Sequence, residues 1–401
     1  MQSSRDVVAG NIDLVTEILL RLPVKDVGRC KCVSKQWLSL ISNPQFCHSH
    51  SCRLSNTSAS CFLWYRSYSQ FHRIPLTNFD SNSSTIRTYQ FRDKRVLRYT
   101  QIIHSCNGFI LFKHVYYRGK HLRRYNSYEV VNPTTKHSRT LKFPGQNFHY
   151  EISALYLAVD PLISIHFKVI SFLRVQSESR CIEYDETSGP KKFEINTYSS
   201  ETSSWNGDGV FFTAPPNFIV DSGVYFNGAI HWYNSGESSI YFDVHRQCFK
   251  TLPEPEFDNS RNVHVKYFGE SRGHFLLILT KSNESLDFDI LELKEDYSGW
   301  VVRYHVDLNL IGDAFSRHVD RPFYVLCVVH QASEEDSMVV LFQDSKIMSY
   351  NLKDHTSRII YESEDFRYIT AYEMGKYFCP CFETLLNVGL KRTYEWNNLE
   401  S

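Results

Sequence analysis

The 401-residue chain is 42% hydrophobic, 22% charged and 15% aromatic, and its 44 Lys and Arg balance its 44 Asp and Glu to a formal net charge of +0. A neutral chain has no global field to gather nucleic acid or an anionic membrane, so neither is expected as a partner. No stretch approaches the roughly 18–20 apolar residues of a membrane helix, and the opening MQSSRDVVAGNID lacks the apolar run of a signal peptide.

The expected location is therefore cytoplasm or nucleus, where the eleven scattered cysteines are free thiols. Sequons at Asn56, Asn82 and Asn283 are then chance matches. The length suits one small and one large module. Aromatic, Val, Ile, Thr and Ser richness favours strands over helices.

Residues 1–11 read as a disordered lead and 12–50 as a three-helix domain. Leu14, Ile18, Leu19 and Leu22 recur on one helical face, with Asp13 as the expected N-cap and Glu17 in the first turns. Pro23 ends this helix and suits the start of the next, where Val27, Cys30 and Val33 keep helical spacing. Ser34 is the expected third cap, before Trp37, Leu40 and Ile41, and SNPQF at 42–46 is a stop.

The segment GRCKCVSKQW invites a metal reading. On a helix, however, residues two apart point about 200° from each other, so Cys30 and Cys32 cannot hold one ion together. Cys30, in the apolar phase, acts as a small hydrophobe. The further candidates, Cys47, His48, His50 and Cys52 in FCHSHSC, lack the paired CxxC spacing of structural zinc sites. No metal and no cofactor are expected.

The string DLVTEILLRLPVKDVGRCKCVSKQWLSLISNPQF, residues 13–46, resembles a plant F-box. The resemblance implies docking on the Skp-type adaptor of a cullin-RING ubiquitin ligase. Carried over by position, the adaptor-facing residues are Leu14, Ile18, Leu22, Pro23 and Val27, with Trp37 packing the third helix. Two departures stand out. The usual opening Leu-Pro is replaced by AGNID, and Gly28 stands where a large apolar residue is usual. Glycine inside a helix costs about 1 kcal/mol against alanine, and it removes contact surface.

Residues 51–390 read as strands and turns, with a flexible 391–401 to follow. Six hairpins repeat, at 61–76, 128–144, 192–205, 239–253, 288–304 and 347–361. Asn132, Asn196, Asp243 and Asn351 mark the end of the first strand in four of them, where a short polar side chain caps a turn. SCNGFILF and GVYFNGAIHWY add Asn-Gly hairpins. Four short strands over about 50 residues are the sequence shape of a propeller blade. The expected fold is thus multidomain: a small all-α F-box, then a large all-β domain folded as a six-bladed β-propeller. Its first blade would be completed from the chain's end, by 368–374 or 377–382. An open sandwich pair or two stacked β domains are the alternatives.

SCNGF, VVNPTTK, INTYSSETSSW, GVYFNGAIHW and EDYSGWVVRYHVDL resemble the F-box-associated, kelch-related domain of plant F-box proteins, without the paired glycines of true kelch repeats. The sequence contains no GxxxxGK[ST], HExxH or GxGxxG, and GESRG at 269–273 is its one GxSxG spelling. His231 reads as a structural histidine bonded to a neighbouring blade. Cys379 and Cys381 lie on one side of a strand that Pro380 marks as an edge or bend. Acidic 333–337 and basic 117–125 read as solvated loops.

The resemblance implies a non-catalytic substrate receptor of an SCF-type ligase, partnered by the Skp-type adaptor, through it by cullin and RING protein, and by an unidentified target. Loops 78–95, 117–127 and 254–265 are where the target surface is sought. The rivals are a propeller-type enzyme or ligand-binding protein with an incidental helical cap, which requires polar groups converging on the central channel, and an F-box protein that no longer assembles a ligase.

Overall fold

The computed structural model describes residues 11–54, 59–67, 70–76, 87–90, 97–118, 123–143, 150–175, 191–206, 209–215, 218–234, 238–256, 263–282, 285–309, 323–330, 337–364, 366 and 378–389. The three sequons, the segment 368–374 and most of 78–95 lie outside these residues, as do 1–10 and 390–401.

Four short helices open the chain: α1 (Ile12–Leu19), α2 (Val24–Cys30), α3 (Lys35–Ile41) and α4 (Pro44–Arg53). Asn11, not Asp13, caps α1. Its Oδ1 accepts from the backbone N–H groups of Asp13 and Leu14, both at 3.1 Å. Ser34 caps α3 as expected, accepting from Trp37 N at 3.1 Å. The SNPQF segment ends α3 and also starts a fourth helix. Asn43 accepts from Gln45 N at 2.8 Å, and Pro44, whose missing N–H is harmless in a first turn, opens α4.

The helices bury Val15, Leu19, Leu20, Val24, Val27, Ile41 and Phe46 around Leu385, which comes from the far end of the chain. A helical module this small hides little surface by itself. Here its core is finished by the β domain.

The β domain is a six-bladed propeller. Blade 1 is β25-β1-β2-β3, built from Phe378–Cys381, Cys61–Ser67, Gln70–Pro75 and Arg87–Gln90. Blade 2 is β4 to β7 (Leu97–Cys106, Phe109–Arg118, Arg123–Asn132, His137–Leu141). Blade 3 is β8 (Tyr150–Ala158), β9 (Lys168–Val175) and β10 (Lys191–Ser199), whose outer edge is shared by β11 (Ser204–Trp205) and β12 (Val210–Ala214). Blade 4 is β13 to β16 (Val224–Phe226, Ala229–Trp232, Ile240–Asp243, Cys248–Thr251). Blade 5 is β17 to β20 (His264–Ser271, His274–Thr280, Asp287–Leu293, Trp300–Asp307). Blade 6 is β21 to β24 (Tyr324–Val329, Met338–Gln343, Lys346–Asn351, Ser357–Glu362).

Closure comes from 378–381, one of the two segments expected. Cys381, Pro380, Cys379 and Phe378 pair antiparallel with Cys61, Phe62, Leu63 and Trp64. Only the innermost strand is borrowed. The 61–76 hairpin therefore forms the second and third strands of its blade, whereas the other five hairpins form the third and fourth.

The cores lie between blades. Strand β18 shows why: Leu276 and Ile278 face a cluster shared with blade 6, while Phe275, Leu277 and Leu279 face clusters shared with blade 4. Side chains alternate across a strand, so a sheet buried on both faces needs a continuous apolar run such as FLLIL. Equivalent clusters join blades 1 and 2, 2 and 3, 3 and 4, and 6 and 1.

Asn107-Gly108 and Asn227-Gly228 turn with φ of 43° and 86°, and 46° and 76°, the positive values an Asn-Gly hairpin requires. At Gly108 a Cβ would also sit 2.4 Å from Thr384 Cγ2, so position and conformation both demand glycine. Asn132, Asp243 and Asn351 accept from the backbone two and three residues on, the side-chain-capped turns expected of them. Asn196 does not; it lies inside β10, and its amide donates to Glu194 Oε1 at 3.2 Å.

Candidate functional site

The helical module presents two aliphatic faces. Val15 and Leu19 turn inward, while Leu14 and Ile18, four residues apart on α1, are 42% and 44% exposed. Pro23 is exposed, and Leu22 and Trp37 are half-buried against the helical core. Val27 is 0% exposed, so it packs the module and has no surface to offer a partner. Ile12, Val33 and Leu38 are also exposed, which their helical phase alone did not single out. The sequence stripe thus divides into a buried half and an outward half, and the outward half holds Leu14 and Ile18.

The module is fixed from below. Glu17 receives both its α4 contacts from Arg53, at 3.1 Å. His50 Nε2 bonds the Leu22 carbonyl at 2.9 Å, tying α4 to the end of α1. His48 and Cys52 both reach the carbonyl of Pro161 in the β8–β9 loop, at 2.7 and 3.1 Å. Ser51 meets Thr384 at 2.9 Å, and Lys25 pairs with Glu383 at 3.1 Å. Of the residues that invited a metal reading, His48 and Cys52 thus seat α4 against the propeller, and His50 ties it to α1. Cys47 is engaged too, its thiol donating to the Ile41 carbonyl at 3.3 Å. Among the described residues no group of three or more His, Cys, Asp or Glu is placed to hold a metal. Cys30 is half-buried against the helical core, and Cys32 is exposed in the turn after α2.

Gly28 is exposed in α2, and a Cβ built there meets nothing within 4 Å. Gly28→Ala is therefore expected to stabilise the chain by about 1 kcal/mol, the helix-propensity gain with no packing penalty. A urea midpoint that falls in the variant would contradict this.

The propeller encloses a central channel of about 1290 Å³. His104, Lys266, Glu270, His274 and Glu292 line it, so polar groups do converge there, as the rival reading requires. Each is engaged. His104 Nδ1 accepts from Leu157 N at 3.2 Å, and burial pushes its pKa down to about 4. Glu270 accepts from Gly273 N at 2.8 Å, and burial raises its pKa. His274 Nδ1 lies 2.7 Å from Glu292, whose other oxygen takes Arg303. Lys266 lies over the Phe323 ring at 4.9 Å. None of these bonds joins a nucleophile to a base.

Two arrangements elsewhere look chemical. Thr100 Oγ1, His114 and Glu129 form a chain of 3.0 and 3.2 Å across blade 2, which no sequence motif announced. All three are buried, at 0%, 4% and 2% exposure, and none lines the central channel. The Cys52–His48 contact at 3.4 Å is the second. There burial and Asp160 push the thiol up, the opposite of an activated nucleophile.

His231 is fully buried and bridges blades as expected, its Nε2 2.9 Å from Tyr297 Oη of blade 5. Its neighbour Trp232 faces the other way, into the cluster shared with blade 3. Burial holds His231, His104 and His330 down to about 4. Unfolded, these groups bind a proton near pH 6.5; folded, they resist it to about 4, so stability falls as pH drops through that window. Urea titrations at pH 6.5 and 5.0 should show the loss, at up to about 1.4 kcal/mol per pH unit for each group. His231→Gln should make the slope shallower by one proton's share; an unchanged slope removes His231 as a source.

The pair Cys61 and Cys381 lies directly across the β1–β25 seam. The Cys381 thiol and the Arg73 guanidinium, whose Nε is 3.1 Å from Cys61 Sγ, hold the Cys61 thiol below its usual range. Pro380, lacking an N–H, sits on the innermost strand at the channel wall, where no ladder bond is required of it.

Comparison with known proteins decides the family. The F-box domain pattern matches residues 11–49, and the F-box associated beta propeller domain pattern matches residues 63–387. The chain belongs to the F-box proteins with an F-box-associated propeller. Its relatives are F-box proteins of Arabidopsis thaliana. F-box protein At5g07610 is 30% identical over 388 residues, covering 88% of this chain and 86% of its own. F-box/kelch-repeat protein At3g23880 is 27% identical over 303 residues, covering 72% and 77%. Likeness to solved structures is slight. A Pyrococcus horikoshii acylaminoacyl peptidase, 13% identical over 76% of this F-box protein and 46% of that chain, has a TM-score of 0.38 and carries no functional argument.

Proposed function

We propose that this F-box protein is the substrate-recognition subunit of an SCF-type cullin-RING ubiquitin ligase, acting in cytoplasm or nucleus. An F-box implies a Skp-type adaptor, and F-box proteins are in general non-catalytic adaptors between that machinery and a target. The observation that carries the reading is the outward pair Leu14 and Ile18 on a module otherwise welded to the propeller. Exposed aliphatic neighbours on a helix are what a partner's groove takes up.

The chain itself breaks no bond. The adaptor brings cullin and RING protein, the propeller holds the target, and a target lysine meets the ubiquitin donor at high effective concentration. The helices contact the 160–161 loop and 383–385, on the face that carries the first and third hairpin turns of each blade. The opposite face, where β14 leads to β15, β18 to β19 and β22 to β23, is the target surface of this proposal. Of the loops singled out from sequence, 78–95 lies largely, and 254–265 partly, outside the described residues, whereas 117–127 is no plain loop: 117–118 end β5 and 123–127 open β6, and only 119–122 lie outside.

The test is gel filtration of the full chain with a Skp-type adaptor and a cullin–RING pair. A single complex containing all four is expected. Elution of the chain apart from the adaptor at micromolar concentration overturns the proposal.

A further inference from the structure

A second cavity, about 1140 Å³, lies between the helices and blades 1 to 3. Its helical wall includes Lys25, Arg29 and Lys31, and its propeller wall includes Arg73 and Arg139. Five cations thus line one cleft in a chain of zero net charge. Three acids stand near them. Glu383 is shared by Lys25 and Arg73, at 3.1 and 2.9 Å, Asp26 pairs with Arg29 at 3.0 Å, and Glu201 is on the wall. That leaves a positive excess. Among the described residues neither Lys31 nor Arg139 makes an ion pair.

The floor carries a second, independent sign. Arg139 Nε and Thr135 Oγ1 are buried without a hydrogen-bond partner among the described residues. The Arg139 fork is held in place by its other nitrogen, which donates to the Ser200 carbonyl at 2.6 Å. A buried donor left unmade is costly, and a guanidinium held this way is matched to the oxygens of a phosphate. The cleft is far larger than one water needs, and cavities between modules are common ligand sites.

We propose that this cleft binds a small metabolite bearing two or more phosphate groups, which clamps the helical module to the propeller. One phosphate is met by Arg139 and Thr135 once their side chains turn the unpartnered atoms to the cleft, and another meets Lys31 and Arg29 at the helical wall. A ligand held by both walls fixes the angle between the adaptor-binding helices and the target-binding propeller. The site is independent of the ligase reading, because its binding is measured on the chain alone.

The test is isothermal titration of the full chain with inorganic tripolyphosphate at about 0.15 M salt, where long-range surface attraction is screened. Saturable one-to-one binding is expected, at least tenfold weaker in Arg139→Gln and in the double variant Arg29→Gln/Lys31→Gln. The double variant keeps the test decisive where Arg139→Gln fails to fold. No saturable heat up to millimolar ligand, or a double variant that binds like wild type, overturns the site. A doubly phosphorylated peptide that binds while tripolyphosphate does not overturns the small-ligand assignment.

Discussion

Ile18→Asp is expected to leave the unfolding transition in place and to weaken adaptor binding at least a hundredfold. Ile18 is 44% exposed, so a carboxylate there stays hydrated in the free chain, and exposed substitutions rarely move stability beyond about 0.5 kcal/mol. In a complex the same carboxylate is buried unpaired, which costs several kcal/mol, and a hundredfold change needs only about 2.7 kcal/mol. Leu14→Asp should behave alike, being on the same face one turn earlier. Leu22→Asp is a poorer probe, because Leu22 packs against the helical core and its loss confuses folding with binding. Val27→Asp should simply unfold the module. Circular dichroism and titration with the adaptor separate these outcomes. An Ile18→Asp chain that binds with wild-type affinity would move the contact face away from α1.

Truncation after residue 377 should abolish cooperative folding of both modules. The cut removes β25, and with it the innermost strand of blade 1 and its pairing to β1. It removes Phe378 from the cluster between blades 6 and 1, and Cys379 and Cys381 from the cluster between blades 1 and 2. It also strips Leu385 from the helical core, Glu383 from Lys25 and Arg73, and Thr384 from Ser51. The carbonyls of Thr384 and Leu386 hold the amide of Asn132, at 3.0 and 2.7 Å, and are lost as well. Leu385→Ala is the milder version. It should cost about 2–5 kcal/mol, as large-to-small core changes do. A truncated chain that keeps a single sharp calorimetric transition near the wild-type temperature would contradict the closure argument.

Much of this architecture is legible in the residues. Asn107-Gly108 and Asn227-Gly228 announce their turns because few other residues take positive φ at both positions. Arg272-Gly273 and Asp344-Ser345 adopt the same conformation, yet their residue types signal it weakly, and the ladders on either side impose it. The exposed aliphatic face of the helices was half legible. Helical phase put Leu14, Ile18, Leu19 and Leu22 on one stripe, but phase cannot say which edge of a stripe a neighbour covers. Leu385, from the other end of the chain, helps to decide that. Asn11 displaced Asp13 as cap for a similar reason: either side chain suffices locally, and the start of the helix is set by packing. The basic cleft was invisible, since its cations are scattered from residue 25 to residue 139 and converge only when the ring closes.

The seam between β1 and β25 also sets a clock on synthesis. Cys61 leaves the ribosome some 320 residues before Cys381, its partner across the seam. At about 5–20 residues per second, β1 waits roughly 15–65 s with an open edge before its mate exists. During that interval the nascent chain holds an unpaired, apolar strand, the kind of template that seeds aggregation. The helices emerge first of all, yet they too lack Leu385 until the end. Adaptor binding would then be a property of finished chains, and partial ones would fall to chaperones or proteolysis before joining any assembly.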